Sequence, residues 1–184
     1  IGNGTSSYEA GEIWHLLDTR VGIPISKLPI RNLDRVSLDA YNTLVMVSGR
    51  YSLSEKFSKA LSDWVSKGNT LITIGTGSSW AVNTKFVKEK LIKVVPDSTT
   101  LTSRKPYVDA GENIGREALG GVFLKGDMDL SHPLGFGYDQ SRVALYKNNE
   151  VWLAPSKSAY GTVIDYAEKP HLDGYISEKN QREF

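Results

Sequence analysis

The 184-residue chain contains no cysteine, and this absence removes several kinds of chemistry together. It excludes a disulfide framework, a thiolate zinc site and any mechanism that uses a cysteine nucleophile. Histidine is scarce, with three residues, and none stands in an H-E-x-x-H pattern or a similar zinc signature. The fold must therefore be held by an apolar core, which a chain of this length can build as a single domain over residues 1–184.

The chain also lacks an excess of charge of either sign. Lysine and arginine together number 22 against 21 aspartate and glutamate residues, so the summed electrostatic field is weak. This balance gives no basis for a nucleic-acid partner. No segment approaches the roughly 20 apolar residues of a membrane span, and no basic segment followed by an apolar core marks a signal peptide. We therefore expect no nucleic-acid binding and no membrane insertion.

The clearest structural pattern is a strand, a helix and a second strand. TLVMV at 43–47 and TLITI at 70–74 are continuous apolar runs. The amphipathic segment between them has a capping box at Ser52 and Glu55 and a stop at Gly68. Strands without alternation are typical of a parallel sheet that is covered on both faces, and such crossovers are right-handed. The pattern predicts a doubly wound α/β core.

A second helix is predicted near the start of the chain. Ser6 and Glu9 have the spacing of a capping box, and the apolar residues that follow predict a helix over about 7–20. ISKLPI at 25–30 alternates apolar and polar residues and predicts a short strand. If a strand also feeds the first helix, most of it precedes Ile1. We therefore expect the chain to be a piece of a longer polypeptide.

The second half of the chain has weaker patterns. Residues 84–119 are polar with little periodicity and are predicted to be mostly irregular. Strands are predicted at about 121–128 and at 162–166, where apolar residues cluster. Two short alternating runs flank Asn148 and Asn149, which tolerate the positive φ of a tight turn, so a hairpin is predicted there.

Three loops rich in glycine and hydroxyl side chains follow predicted strands or precede predicted helices. They are GNGTSS at 2–7, SGRYS at 48–52 and GTGSS at 75–79. A doubly wound sheet binds ligands beyond the carboxyl ends of its strands, and small side chains leave backbone N–H groups open to a ligand. Tight turns and helix caps require the same composition. The candidate crevice residues are Gly4, Ser6, Gly49, Arg50, Gly77, Ser78 and Ser79, with His132 from the second half.

The segment TLITIGTGSSWA has the form of the strand-to-helix turn that holds a nucleophile in α/β hydrolases. With Gly75 and Ser79 at its outer positions, the central position is Gly77, which has no side chain. A serine needs an adjacent base to be nucleophilic. Ser78 or Ser79 acting with His132 is one alternative, a serine hydrolase. Otherwise His132 only shapes a turn.

Asp127, Asp129 and His132 are the closest set of possible metal ligands in the sequence. Alternation places both aspartates on one strand face, and mixed oxygen and nitrogen ligands suit several divalent ions. A solvated strand end is the commoner meaning of such a cluster. We therefore predict no metal ligand, no cofactor and no catalytic residue in this chain.

Several stretches taken together resemble one known family. The resemblance covers most of the chain, is weakest from about 84 to 112, and is specific as a set of motifs. The motifs are SSYEAGEIWHLLDTRVGIPIS, LDAYNTLVMVSGRY, LSDWVSKGNTLITIGTGSSWA, DLSHPLGFGY and PHLDGYISEKN. On these motifs the chain resembles the class I glutamine amidotransferase-like domain that follows the catalytic domain in certain bacterial zinc carboxypeptidases of the M14 type.

The resemblance implies a three-layer flavodoxin-like fold with a mostly parallel sheet and β-hairpin elements in the second half. It implies an upstream peptidase domain that carries the zinc, a strand-rich segment after Phe184, and a periplasmic or secreted location. Working amidotransferases place a cysteine nucleophile in the strand-to-helix turn, and the residue of this chain at the matching position is Gly77. The family therefore implies a non-catalytic accessory domain with a structural or substrate-binding role. The alternative is a module that binds a sugar, a peptide or an anion.

Overall fold

The computed structural model of the chain describes residues 1–92, 104 and 106–181. The chain divides into two compact units, Ile1–Lys88 and Glu89–Phe184. The first unit holds a two-stranded parallel sheet and the second a three-stranded antiparallel sheet. The α/β prediction is therefore confirmed only as a mixture of helices with a small parallel sheet and an antiparallel sheet. No helix in the described part of the chain has the length and apolar character needed to cross a membrane.

The core of the first unit is the strand, helix and strand that the apolar pattern predicts. Strand β1 (Thr43–Met46) leads to helix α2 (Glu55–Ser66) and then to strand β2 (Thr70–Thr73). The two strands pair in parallel, with Val45 opposite Ile72. Helix α2 packs its apolar stripe on one face of this sheet. The buried cluster consists of Leu38, Met46, Phe57, Leu61, Trp64, Trp80 and Ala81.

The two faces of this parallel sheet are unequally covered. Leu44 and Met46 lie on the face that packs against α2. On the opposite face Ile72 is 45% exposed, although it is an apolar residue within a strand. The expectation of a sheet covered on both faces is therefore not met in this unit.

Helix α2 begins two residues later than the predicted capping box. The N-cap is Ser54, whose Oγ accepts a hydrogen bond from the backbone N–H of Phe57 at 3.0 Å. Leu53 packs against the core, so the chain stays extended until Ser54. Ser52 therefore does not cap the helix, and Glu55 is its first residue rather than a capping partner.

Helix α1 matches the prediction in position. It spans Ser7–Trp14, continues as a π-helical turn over His15–Val21, and ends at Gly22 with a φ of 77°. The side chain of Ser6 caps it, because its Oγ accepts the N–H of Glu9 at 3.2 Å. None of the residues of α1 is buried by the described part of the chain.

The predicted strand at 25–30 is wrong. A 3₁₀-helix, Ile30–Arg35, begins at its last residue, and the residues before it have no regular structure. The segment pairs through its backbone with one residue, Ile1. The N–H of Ile30 donates to the carbonyl of Ile1 at 2.9 Å, and the nitrogen of Ile1 lies 2.6 Å from the carbonyl oxygen of Leu28. One paired residue does not make a strand, because a ladder needs a neighbour of several residues.

The second unit is built on three antiparallel strands. They are β3 (Val122–Met128), β4 (Arg142–Lys147) and β5 (Ile164–Gly174), with β3 in the centre. The strand predicted at 121–128 is confirmed, and the one predicted at 162–166 extends further than expected. The core of this unit consists of Leu119, Val122, Leu124, Trp152 and Ile176.

The prediction of a mostly irregular segment at 84–119 holds for residues 84–92, which form no helix or strand, and is wrong further along the chain. Tyr107–Asp109 form a 3₁₀ turn that continues into helix α4 (Ala110–Glu117), within the region predicted to be irregular. The same prediction for residues 93–103 and 105 lies outside the described residues. Two helical turns with a single strongly apolar residue, Ile114, are too short for periodicity to reveal. A further short helix, α5, spans Glu178–Gln181.

The predicted hairpin at Asn148 and Asn149 is also wrong. Strand β4 ends at Lys147, and the Oδ1 of Asn149 accepts the N–H of Val151 at 3.1 Å. This local bond turns the chain away from β4. Leu153 instead forms an isolated antiparallel bridge with Leu91.

Candidate functional site

The three glycine- and serine-rich loops of the first unit meet beyond the carboxyl ends of β1 and β2. The N–H of Arg50 donates to the carbonyl of Gly4 at 2.9 Å, and the N–H of Ser6 donates to the carbonyl of Ser48 at 2.8 Å. These bonds join the first loop to the second. We call the assembly the loop cluster, defined as residues 2–9, 48–51 and 75–79.

Three backbone donors of the second and third loops bond within the loop cluster. The N–H of Gly49 donates to Oγ1 of Thr76 at 2.8 Å, and the N–H of Thr76 donates to Oγ of Ser48 at 3.3 Å. The N–H of Ser48 in turn donates to Oε2 of Glu9 at 2.6 Å. The sequence suggested that such groups are open to a ligand, whereas each of these three has an internal acceptor. An anion that bound these three N–H groups would have to displace their acceptors.

Glu9 is a member of the loop cluster that sequence reasoning placed only in a capping box. Its carboxylate does not return to its own helix cap but reaches the loop that follows β1. Burial, and after it the negative charge of Glu9, raises the pKa of the Tyr51 hydroxyl to about 12. That hydroxyl donates to the carbonyl of Val47 at 2.7 Å. The only signal in the sequence was the Ser6-x-x-Glu9 spacing. This spacing does not distinguish a glutamate that caps its own helix from one that bonds to another loop.

The strained residue of the strand-to-helix turn is Gly75. Its φ of 50° and ψ of −122° form a conformation that residues with a side chain rarely adopt, and helix α3 (Thr76–Asn83) begins immediately after it. A nucleophile in such a turn occupies the strained position. That position is therefore Gly75 and not Gly77, to which the spacing assigned it. In both cases the residue is glycine and presents no side chain.

Gly77 has a packing role. A Cβ atom there would lie 2.9 Å from the carbonyl oxygen of Met46 and 3.1 Å from that of Val47. Both neighbours are backbone atoms at the end of β1, so they cannot move aside as a flexible side chain could. The missing side chain allows α3 to approach the strand closely. Gly77 is accordingly buried.

The hydroxyl of Ser78 is held by its own turn. Its Oγ donates to the carbonyl of Thr73 at 3.0 Å and lies 3.0 Å from the Oγ1 of the same residue. Ser79 is half-buried on the next position of α3, and Arg50 is exposed at the rim of the loop cluster. The hydroxyl of Ser78 thus stabilises the end of β2.

His132 lies in the second unit, whereas Ser78 and Ser79 lie in the first. Its Nδ1 accepts the N–H of Leu134 at 3.1 Å and so caps the 3₁₀ turn Pro133–Gly135. An accepting Nδ1 leaves the proton of the neutral ring on Nε2. Within its own unit, His132 acts as the cap of a turn.

The three possible metal ligands are engaged separately. Asp127 pairs with Nε of Arg142 at 2.8 Å. The carboxylate of Asp129 accepts hydrogen bonds from the backbone N–H of Ser131 at 2.9 Å and from its hydroxyl at 2.6 Å. The bond from the hydroxyl is the main reason why the pKa of Asp129 is lowered. In the described ranges, no three histidine, aspartate or glutamate residues form a group that could hold a metal. The cluster has the contacts of a solvated strand end.

Comparison with known proteins assigns this site to no family. No family model, no curated protein and no solved structure matches the chain. The family resemblance therefore rests on the sequence motifs.

Proposed function

We propose that the chain is a non-catalytic accessory domain of a bacterial zinc carboxypeptidase, with a flavodoxin-like fold and a structural or substrate-binding role. The observation that carries this proposal is the conformation of Gly75, φ 50° and ψ −122°, at the strand-to-helix turn. Enzymes with this architecture present their nucleophile from that position. A glycine there supplies the turn without the reacting atom.

The neighbouring side chains support a structural role. The Oγ1 of Thr76 accepts the N–H of Gly49 at 2.8 Å and lies 3.2 Å from the carbonyl oxygen of the same residue. Like the hydroxyl of Ser78, it binds backbone groups of the fold. A nucleophilic hydroxyl instead needs a base within hydrogen-bond reach. The hydroxyls at this turn therefore serve to hold the loops together.

The experiment compares the purified 184-residue chain with the longer polypeptide. We expect the isolated chain to fold cooperatively, to contain no stoichiometric zinc by metal analysis, and to release no C-terminal amino acid from peptides. The longer polypeptide should bind zinc and release C-terminal residues, with loss of activity on chelation. A longer polypeptide without zinc-dependent carboxypeptidase activity would contradict the proposal.

The isolated chain also tests the serine-hydrolase alternative. We expect no hydrolysis of p-nitrophenyl esters and no release of ammonia from glutamine. Esterase activity that disappears in both Ser78→Ala and His132→Ala would replace the accessory role with that alternative. Activity that neither substitution changes would point to a contaminant, and a Gly11→Ala variant prepared in parallel provides the reference level.

A small-molecule binding module is the second candidate, and Arg50 favours it. Its guanidinium is exposed at the loop cluster, while its backbone is fixed by the bond to Gly4. A thermal-shift series with phosphate, a hexose and glycylglycine tests this candidate against Arg50→Gln. A ligand at 100 times its Kd stabilises a protein by about 2.7 kcal/mol. The absence of any shift, or an equal shift in Arg50→Gln, would remove this role for Arg50.

A further inference from the structure

Strand β4 is an edge of the three-stranded sheet in the second unit. In the described part of the chain, β3 is the only strand that pairs with it. The N–H of Met128 donates to the carbonyl of Ser141 at 2.8 Å, and these two residues continue the β3–β4 register. Hydrogen-bonded pairs alternate along an antiparallel ladder, so the odd-numbered residues of β4 bond to β3. The even-numbered residues direct their backbone groups away from β3.

The outward-directed residues of β4 are Arg142, Ala144 and Tyr146. All three are exposed, whereas Val143 and Leu145 between them are half-buried. Three alternate residues therefore present their N–H and C=O groups along one side of the strand. We call these backbone groups the β4 edge. An unpaired edge of this kind is a template for another strand.

The other edge of the sheet, β5, is built differently. Its pairing with β3 shifts register on both sides of Leu124. Pro170, which has no N–H, lies in this stretch with the exposed charges of Glu168 and Lys169. Bulges, proline and charged side chains keep edge strands from pairing. Strand β4 has a continuous register with β3 and contains no proline, so its edge remains regular.

The side chains of β4 fit a second copy of the same strand. In an antiparallel pair with a twofold axis at Ala144, this residue lies opposite its own counterpart, and Arg142 lies opposite Tyr146 of the second copy. The small side chain of Ala144 leaves room at the axis. The guanidinium of Arg142 can then rest on the Tyr146 ring, which is a favourable contact of a cation with an aromatic face. The outward-directed residues meet as hydrogen-bonded pairs, which gives about six backbone bonds.

The contacts that flank this arrangement already exist within one chain. Asp127 lies 2.8 Å from Nε of Arg142, and the ring centroids of Phe123 and Tyr146 are 5.2 Å apart. Each of these pairs joins residues that lie opposite each other on β3 and β4. Arg142 and Tyr146 are thus each held from their own side of the interface. The contact between them is the one new member of a row that crosses four strands.

The remaining side chains do not oppose the pairing. Lys125 lies opposite Ala144 on β3, so the two copies of this lysine are three strand spacings apart. That separation, about 14 Å, exceeds the Debye length of about 8 Å at physiological ionic strength. On the other face of the sheet, Val143 of one copy lies opposite Leu145 of the second. Both are half-buried in one chain and would cover each other.

We propose that the chain forms a symmetric dimer through the β4 edge, in which two copies of β4 pair antiparallel about a twofold axis at Ala144. The two three-stranded sheets then become one sheet of six strands. An edge of this length buries less area than the roughly 1,200 Å² of a standard interface, so the dimer is weak. We expect a dissociation constant between about 10 μM and 1 mM. The accessory role plays no part in this inference.

Sedimentation equilibrium over a range of protein concentrations tests the dimer. We expect the wild type to pass from monomer to dimer as the concentration rises. Ala144→Pro removes the outward N–H and leaves the bonds to β3 in place, as proline can on an edge strand. It should weaken association by about 10-fold or more, because the two bonds at the axis are lost. Ala144→Ser keeps the N–H and is the matched control, which should associate like the wild type.

Two substitutions of Tyr146 test the register. Tyr146→Lys and Tyr146→Glu both remove the ring and differ in the sign of the charge that they place opposite Arg142. Opposite charges on facing residues attract, and like charges repel. We expect Tyr146→Lys to associate about 10-fold more weakly than Tyr146→Glu, since the axis repeats the pair, and we expect high salt to reduce the difference. Equal association of the two variants would contradict the register.

Amide hydrogen exchange of the wild type locates the interface. The amides of Ala144 and Tyr146 should exchange more slowly as the protein concentration rises, because they gain acceptors in the dimer. The amide of Leu145, which bonds to β3, should change far less. If Ala144→Pro does not fold, these exchange rates decide the question.

Three results would overturn the proposal. The first is a monomer at every concentration up to about 1 mM, the weak end of the expected range. The second is a dimer that Ala144→Pro leaves unchanged, which would place the interface elsewhere on the chain. The third is protection of Ala144 that does not depend on concentration, which would assign the β4 edge to another segment of the same polypeptide.

Discussion

The Oε2 atom of Glu9 lies 2.6 Å from the backbone nitrogen of Ser48. The bond joins the first turn of α1 to the loop that follows β1, and a carboxylate acceptor makes it a strong one. Hydrogen bonds to charged groups contribute about 1.5 to 3 kcal/mol. We expect Glu9→Gln, which keeps an oxygen acceptor, to lower the free energy of unfolding by about 1 kcal/mol in urea titrations. Glu12→Gln, exposed on the same helix, is the matched control.

The same substitution should change the titration of Tyr51. The charge of Glu9 raises the pKa of this hydroxyl, although burial is the larger cause of the value of about 12. In Glu9→Gln the pKa should fall but stay above 10, the value of an unperturbed tyrosine. Ultraviolet absorption of tyrosinate against pH measures it. A Tyr51 pKa that does not move would show that Glu9 is not the charge that acts on the hydroxyl.

Gly77 should tolerate no side chain. Its Cβ would approach backbone oxygens at 2.9 and 3.1 Å, so we expect Gly77→Ala to lower the free energy of unfolding by about 1 to 3 kcal/mol. Gly11 is a helical glycine with nothing within 4 Å of its Cβ position, and Gly11→Ala should stabilise the chain by about 0.5 to 1 kcal/mol. Chemical unfolding of both variants measures the difference. Equal effects would contradict the close approach of α3 to β1.

The parts of the fold that the sequence predicted are those fixed by local signals. The helices at Ser6 and around Leu61 each have a cap and an apolar stripe within one short segment, and both form. The strand predicted at 25–30 depends on a distant neighbour, and alternation within the segment does not reveal whether one is present. The predicted hairpin at Asn149 was wrong for a similar reason. The side chain of Asn149 bonds to the backbone of Val151, and no second strand returns along β4 in the described residues.

The site was predicted in composition but not in detail. Loop position follows from strand order, so Gly4, Ser6, Gly49 and Arg50 could be placed together from the sequence. Spacing alone does not tell which glycine takes a positive φ, and it selected Gly77 where the strained residue is Gly75. The sequence also did not reveal that Glu9 bonds to the loop after β1, because the Ser6-x-x-Glu9 spacing is that of a capping box.

Ser54 and Ser52 provide a direct test of the corrected cap. Ser54 Oγ accepts the N–H of Phe57 at 3.0 Å and also bonds to the carboxylate of Asp34. We expect Ser54→Ala to lower the free energy of unfolding by about 1 to 2 kcal/mol, the range for loss of an N-cap. Ser52→Ala should change it by less than about 0.5 kcal/mol, as for most exposed positions. Urea unfolding followed by circular dichroism separates them, and the reverse order would restore the original capping box.

Lys147 should make stability depend on pH in an unusual direction. It is buried at the end of β4, where its Nζ donates to the carbonyl of Val151 at 2.8 Å and lies 4.2 Å from the centroid of the Trp152 ring. Burial lowers its pKa from 10.5 to about 8. Above pH 8 the folded state therefore releases this proton, while the unfolded state keeps it until about pH 10.4. Because the unfolded state then binds more protons, the free energy of unfolding should rise with pH.

The measurement is urea unfolding of the wild type and of Lys147→Met from pH 7 to about 9.5, below the tyrosine range. We expect the wild type to gain stability across this interval and Lys147→Met to show a flatter profile. Lys169→Met, at an exposed position of β5, should keep the wild-type slope. The bonds of Lys147 to Val151 and its position over Trp152 hold the ammonium in place, but they do not restore the hydration that burial removes. A rise of the same size in Lys147→Met would assign the pH dependence to another group.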